Sequence, residues 1–158
     1  MKFQIATFFL LASFSCSLIC CEKAISQTAI RNNSNNNIAH QNGTKMKITV
    51  GSAVFTATLY DTPTATAFKS LLPLTIDMSE LNGNEKYYYF SGNLPINAAP
   101  GGSIQAGDLM LYGNNCLVLF YKSFHTSYSY TKLGRIANTS GLVSALGSGS
   151  VTVKFELE

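Results

Sequence analysis

Seven carboxylates lie in residues 45–158: Asp61, Asp77, Glu80, Glu85, Asp108, Glu156 and Glu158. Two of them facing each other across a cleft, about 5–10 Å apart, could run glycoside hydrolysis. Asp77 and Glu80 are near neighbours in the chain, but they read as solvated residues where a strand leaves for a loop. Asp61 reads as a helix cap, and Asp108 as a turn residue after Gly107. Metal chemistry needs three or four convergent ligands. The chain has two histidines, His40 and His125, and one cysteine beyond residue 44, Cys116. No metal site and no cofactor are therefore expected. HExxH, GxSxG, the P-loop and GxGxxG are all missing from the sequence. Cys116 begins the apolar run CLVLFY, which makes it a buried, inert thiol rather than a nucleophile.

The concentrated residue type is tyrosine. All eight tyrosines fall between Tyr60 and Tyr130. Tyr87, Tyr88, Tyr89 and Phe90 form one run, while Tyr121, Phe124, His125, Tyr128 and Tyr130 crowd a second segment rich in serine and threonine. On a strand, neighbours in such a run point to opposite faces, so about half must face away from any barrel interior. Two readings stand. Tyrosine rings with polar tips suit a recognition surface for a peptide or a small ligand. They also pack beneath helices or rim a barrel with the hydroxyl in water. The recognition reading places a cleft at Tyr88, Phe90, Phe120, His125, Tyr128 and Tyr130. Nucleic acid is excluded as a partner: of the chain's formal +3, residues 45–158 hold eight basic against seven acidic side chains, which is no basic footprint.

The elements that must position these residues are mostly strands. Ala53, Phe55, Ala57 and Leu59 alternate with polar residues, as do Val151, Val153, Phe155 and Leu157. Period-two alternation marks a strand with one buried face. Further strands are expected at 46–50, 74–78, 86–90, 108–112, 116–121 and 132–136, separated by Gly and Asn turn signals. Two short helices interrupt them. Asp61 or Thr62 can cap the first, with Pro63 at its opening position; the second runs from about Ser140 to a Gly147 C-cap. Each is too short to stand alone in water and must pack on the sheet. Eight strands and two helices predict a mainly β fold, a closed barrel capped by the helices.

The first 44 residues differ in character. Residues 1–21 combine Lys2, a greasy stretch and small residues, the pattern of a secretory signal. The stretch 3–21 approaches the roughly 20 residues a membrane-spanning helix needs. It is diluted by Thr7, Ser13, Ser15 and Ser17, and no Lys/Arg cluster follows. Cys16, Cys20 and Cys21 cluster here, resembling a bacterial lipoprotein signal, with Cys16 and Cys21 as lipidation candidates. Cleavage after Ala24-Ile25-Ser26 is the alternative. Residues 22–44, with their Asn-rich run, read as a disordered polar tether. Both routes predict an extracytoplasmic protein, a cell-envelope lipoprotein or a secreted one. Its only membrane contact would be the N-terminal lipid.

The element order resembles the cyclophilin fold. Residues 54–68 (VFTATLYDTPTATAF) are similar to that family's second strand and first helix. Residues 132–136 (KLGRI) and 141–146 (GLVSAL) are similar to its late strand and second helix, and 107–109 with 117–121 resemble small bacterial cyclophilin-like domains. The resemblance covers residues 46–158. In the family it implies proline isomerisation across a barrier of about 18–20 kcal/mol, assisted by an arginine in a Phe-His-Arg stretch on an early strand. No such stretch occurs here, nor any Trp. The one arginine after residue 44 is Arg135, on the late strand. The expectation is therefore a binding module. The alternatives are an atypical isomerase using Arg135 or His125, and a structural envelope component.

Overall fold

Residues 43–158 are described by a computed structural model. The signal, the lipidation candidates Cys16 and Cys21 and nearly all of the tether lie outside these residues. The order is β1 (Thr44–Val50), β2 (Ala53–Leu59), α1 (Pro63–Lys69), β3 (Leu74–Leu81), β4 (Glu85–Tyr89), β5 (Ala99–Ile104), β6 (Asp108–Tyr112), β7 (Cys116–Phe120), β8 (Phe124–Ile136), α2 (Leu142–Leu146) and β9 (Val151–Leu157). Eight strands run antiparallel around a ring, β2-β1-β9-β3-β4-β7-β6-β8. The ring closes where β8 returns to β2, pairing Ala57 with Ile136, Thr58 with Arg135 and Leu59 with Gly134. Closure satisfies backbone groups that an open sheet would leave unpaired. It also requires the two backbones to come very close at Gly134. A Cβ there would stand 2.5 Å from the Thr58 carbonyl oxygen.

Period-two alternation puts Met46, Ile48, Phe55, Ala57, Leu59, Ile76, Met78, Val153 and Phe155 inside the barrel. The helices seal this core. Thr62 caps α1 by accepting the Ala65 N–H at 3.1 Å, with Pro63 at the first helical position. Asp61 is not the side-chain cap. Phe68 enters the core edge-on to Phe155, ring centroids 5.9 Å apart. In α2, Leu142 and Leu146 are buried and Gly147 ends the helix with its N–H donated to the Val143 carbonyl at 3.1 Å. This helix begins two residues later than the pattern suggested.

A ninth strand lies outside the ring. β5 pairs only with the first half of β8, from Ala99 opposite Tyr130 to Ile104 opposite Phe124. Its sequence, APGGSI, reads as turn chemistry and hid the strand. Pro100 is tolerated because β5 is an edge. Gly101 is needed because a Cβ would meet Thr126 Cγ2 at 2.8 Å. β8 thus serves twice: Phe124–Tyr130 carries β5, and Tyr130–Ile136 belongs to the barrel. His125, outside the strands expected at 116–121 and 132–136, stands in this strand.

The β5–β8 arm creates a second apolar layer. Ile104 and Tyr130 pack with Met110, Cys116, Val118 and Phe120. These are the residues of β6 and β7 that face away from the barrel interior. β7 is consequently buried on both faces, which explains its unbroken apolar run.

Candidate functional site

The arm covers the outer faces of β6 and β7 but leaves an open groove beside them of about 450 Å³. One wall comes from β8, through Phe124, Thr126, Tyr128 and Tyr130. The other comes from β4, through Glu85, Tyr87 and Tyr89. Cys116, Val118 and Tyr112 form the base, and Leu81, Asn82 and Asn84 of the β3–β4 turn close one end. Five of the eight tyrosines therefore meet in one place. Tyr87 and Tyr89 stack edge-on at 5.8 Å, and Tyr112 contacts Tyr128 at 6.1 Å and Tyr130 at 5.5 Å.

The six residues singled out from sequence do not share one cleft. Tyr128 and Tyr130 line the groove. Phe120 is fully buried behind it, its ring 5.6 Å from Phe124 and 5.4 Å from Tyr130. Tyr88 and Phe90 face the other way and pack on the barrel core. His125 is exposed, alternating with the groove residues Phe124 and Thr126. Sequence reasoning missed Tyr87, Tyr89 and Tyr112, whose faces follow from strand register, and Glu85.

Glu85 and Lys86 are adjacent in β4, both buried, and point to opposite faces. Lys86 enters the barrel at 0% exposure. It donates to Glu80 Oε2 at 2.5 Å and to the carbonyls of Gly147 and Gly149 at 3.1 and 2.6 Å, with the Tyr121 ring 5.6 Å away. Glu80 also accepts from Tyr121 Oη at 2.7 Å and the Gly83 N–H at 2.9 Å. Burial pushes its pKa up, but the hydrogen bonds from Lys86 and Tyr121 outweigh that and hold it below the usual carboxylate value. Asp77 and Glu80, read from sequence as solvated turn residues, both stand in β3; Asp77 is exposed and accepts from the Thr152 hydroxyl, while Glu80 is half-buried with the partners just named.

Glu85 has the opposite situation. It is 7% exposed, and its carboxylate makes no hydrogen bond or ion pair with any described residue. Burial, then the nearby Glu80 charge, raises its pKa. Tyr130 is pushed up to about 12 by burial and by Glu85. Burial also raises the Cys116 thiol, against a hydrogen bond with Tyr89, and keeps it protonated and unreactive. Asn84 adds a second acceptor: its Oδ1 is buried with no donor.

Arg135 lies outside the groove. Its Nε is 3.6 Å from Asp108 Oδ1. Asp108, at the start of β6, accepts the Gln105 N–H at 2.9 Å; burial raises its carboxyl more than these contacts lower it. A second hollow of about 460 Å³ lies beside Tyr60, Pro63, Asn97 and Thr131. It matches the groove in size, so chemistry separates them: the charged residues of the second hollow, Asp61 and Lys132, are exposed. Among the described residues, no three His, Cys, Asp or Glu side chains gather as a metal site, and no helix is long and apolar enough to cross a membrane.

The closed ring, its two helices and the element order define a cyclophilin-like domain. The chain belongs to the cyclophilin-like family, whose sequence model matches residues 48–156. A hypothetical protein from Archaeoglobus fulgidus, solved in solution, shares the fold with a TM-score of 0.55 at 20% identity. The match covers 73% of this chain and 95% of that one. No curated protein matches the chain.

Proposed function

We propose that the protein is an exported cyclophilin-like binding module that takes a peptide or small ligand in the groove between β4 and β8. The observation carrying this reading is the convergence of five tyrosines and a buried carboxylate on one open hollow of about 450 Å³. That volume is within the range of small-ligand sites. Proline isomerisation is the disfavoured alternative. It needs a cation beside the prolyl nitrogen, and no Lys, Arg or His lines the groove. Arg135 is engaged by Asp108 elsewhere.

Two measurements test the reading. A tetrapeptide X-Pro isomerisation assay is expected to show no acceleration over the uncatalysed rate; robust turnover would establish an isomerase instead. A panel of short peptides followed by NMR should shift the ring signals of Tyr87, Tyr89, Tyr112, Tyr128 and Tyr130 together. Shifts centred on His125 or on the second hollow would move the site.

Export is proposed from residues 1–26, and lipid anchoring from the cysteines within them. Palmitate fed to expressing bacteria is expected to label the protein. Loss of label in Cys16→Ala but not Cys21→Ala assigns the first site, and the reverse assigns the second. An unlabelled protein recovered outside the cytoplasm would be a soluble exported one.

A further inference from the structure

Carboxylates buried in folded proteins are normally paired, because an isolated charge taken out of water costs several kcal/mol. This molecule holds both situations a few residues apart. Glu80 collects three donors: Lys86, Tyr121 and the Gly83 N–H. Glu85 is 7% exposed and collects none. The adjacent lysine cannot serve it, since Lys86 is spent on the other face of β4. Glu85 opens only onto the groove, where no lining residue is positively charged. The walls around it are the rings of Tyr87, Tyr89, Tyr112, Tyr128 and Tyr130.

Aromatic faces carry negative quadrupole density and attract cations, most strongly where water is excluded. A carboxylate without a partner supplies the matching charge. The one charged group of the hollow is thus negative and set among aromatic rings, and both features favour a positively charged donor. An anion would face Glu85. A neutral apolar ligand would leave the carboxylate both buried and unpaired, at a worse cost than in the open groove. A metal ion is less well served, since Glu85 is the hollow's one carboxylate and no three His, Cys, Asp or Glu side chains gather among the described residues.

We propose that the groove binds an organic cation, an ammonium or guanidinium head seated among the tyrosine rings with Glu85 as its counter-charge. This rests on the groove being the ligand site. The volume of about 450 Å³ exceeds a bare ammonium and accommodates the carbon body attached to it. Such a head occurs on free small molecules and on lysine or arginine side chains of peptides.

The full chain has no Trp, so its intrinsic emission is tyrosine emission, and five of the eight tyrosines line the groove. It is titrated with choline, tetramethylammonium, N-acetyl-lysine methylamide and N-acetyl-arginine methylamide. The control is 3,3-dimethylbutanol, choline's uncharged isostere. At least one cation is expected to saturate, binding tenfold or more tighter than the isostere. Glu85→Gln should weaken that cation at least tenfold and leave the isostere unchanged. The strongest probe shows whether a free cation or a peptide side chain is the source. Equal binding of cation and isostere, or Glu85→Gln binding the cation as before, would overturn the cation assignment while leaving the groove as a ligand site. Absence of binding by every cation would overturn it too, and the peptide NMR panel then judges the groove separately. Because Glu85→Gln removes an unpaired buried charge, its Tm should equal or exceed that of the parent. A lower Tm would show that Glu85 has a structural partner and would also sink the assignment.

Discussion

Lys86→Met is expected to destabilise the barrel by about 3 kcal/mol, the lower end of the cost of breaking a buried ion pair from one side. The lower end applies because Glu80 keeps some contact with water, its side chain being 21% exposed. Lys86 has no such outlet. Removing it strands the Gly147 and Gly149 carbonyls, which Lys86 ties to β4 across the barrel interior. The segment between α2 and β9 should loosen with it. Urea denaturation at pH 7 measures the loss, and amide exchange near residues 147–149 locates it. The double variant Glu80→Gln/Lys86→Met should recover part of the loss, because no unpaired charge remains. The pH dependence has a definite sign. Glu80 has a lowered folded pKa, so its contribution is present above the ordinary 4.5 and is lost as pH falls through the folded value. In Lys86→Met this acid-sensitive contribution should shrink. An unchanged urea midpoint would show that the interior network adds nothing.

Gly134→Ala should cost a comparable amount, about 3 kcal/mol, by overpacking the seam. The added Cβ would stand 2.5 Å from the Thr58 carbonyl oxygen and 3.1 Å from Leu59 Cα. Both are backbone atoms of β2, so no side-chain rotation relieves the clash and the strands must part. The Tyr60 N–H, which donates to the Leu133 carbonyl at 2.9 Å, should exchange faster. Gly92→Ala is the matched control, because a Cβ there meets nothing within 4 Å. Equal stability of the two variants would refute a tight seam. The barrel's closure therefore depends on one missing side chain, and the groove depends on closure, because β8 supplies both the seam and the groove wall.

Much of this architecture was legible from residue patterns. The alternation in β2 and β9, the Thr62-Pro63 helix start and the Gly147 stop each state a local preference, and local preferences survive folding when packing agrees with them. The eight ring strands follow from them. β5 was not legible, because Pro100, Gly101 and Gly102 carry turn propensities. The strand exists only because β8 extends past the barrel and offers an edge. The site suffered similarly. The Tyr87–Phe90 run requires two faces, and the pattern alone does not say which is which: Tyr88 and Phe90, expected at the recognition surface, pack on the barrel core, whereas Tyr87 and Tyr89 line the groove. Glu85 gave no signal at all. An acidic residue beside a lysine after an Asn-Gly-Asn turn reads as a solvated hairpin end.

By itself, the sequence determined that neighbouring β4 residues point to opposite sides, that the apolar strands must bury one face, and that no isomerase-type arginine stretch is present. Side-chain alternation is a property of the extended backbone and needs no partner. Only the tertiary structure decided which side was inside. Closing the ring placed Lys86 with Glu80 in the interior. Folding the β5–β8 arm over β6 and β7 then buried Glu85 on the other face, among tyrosines and without a counter-charge. Burial and pairing depend on which strands meet, and that is set by long-range register rather than by any residue's own neighbours.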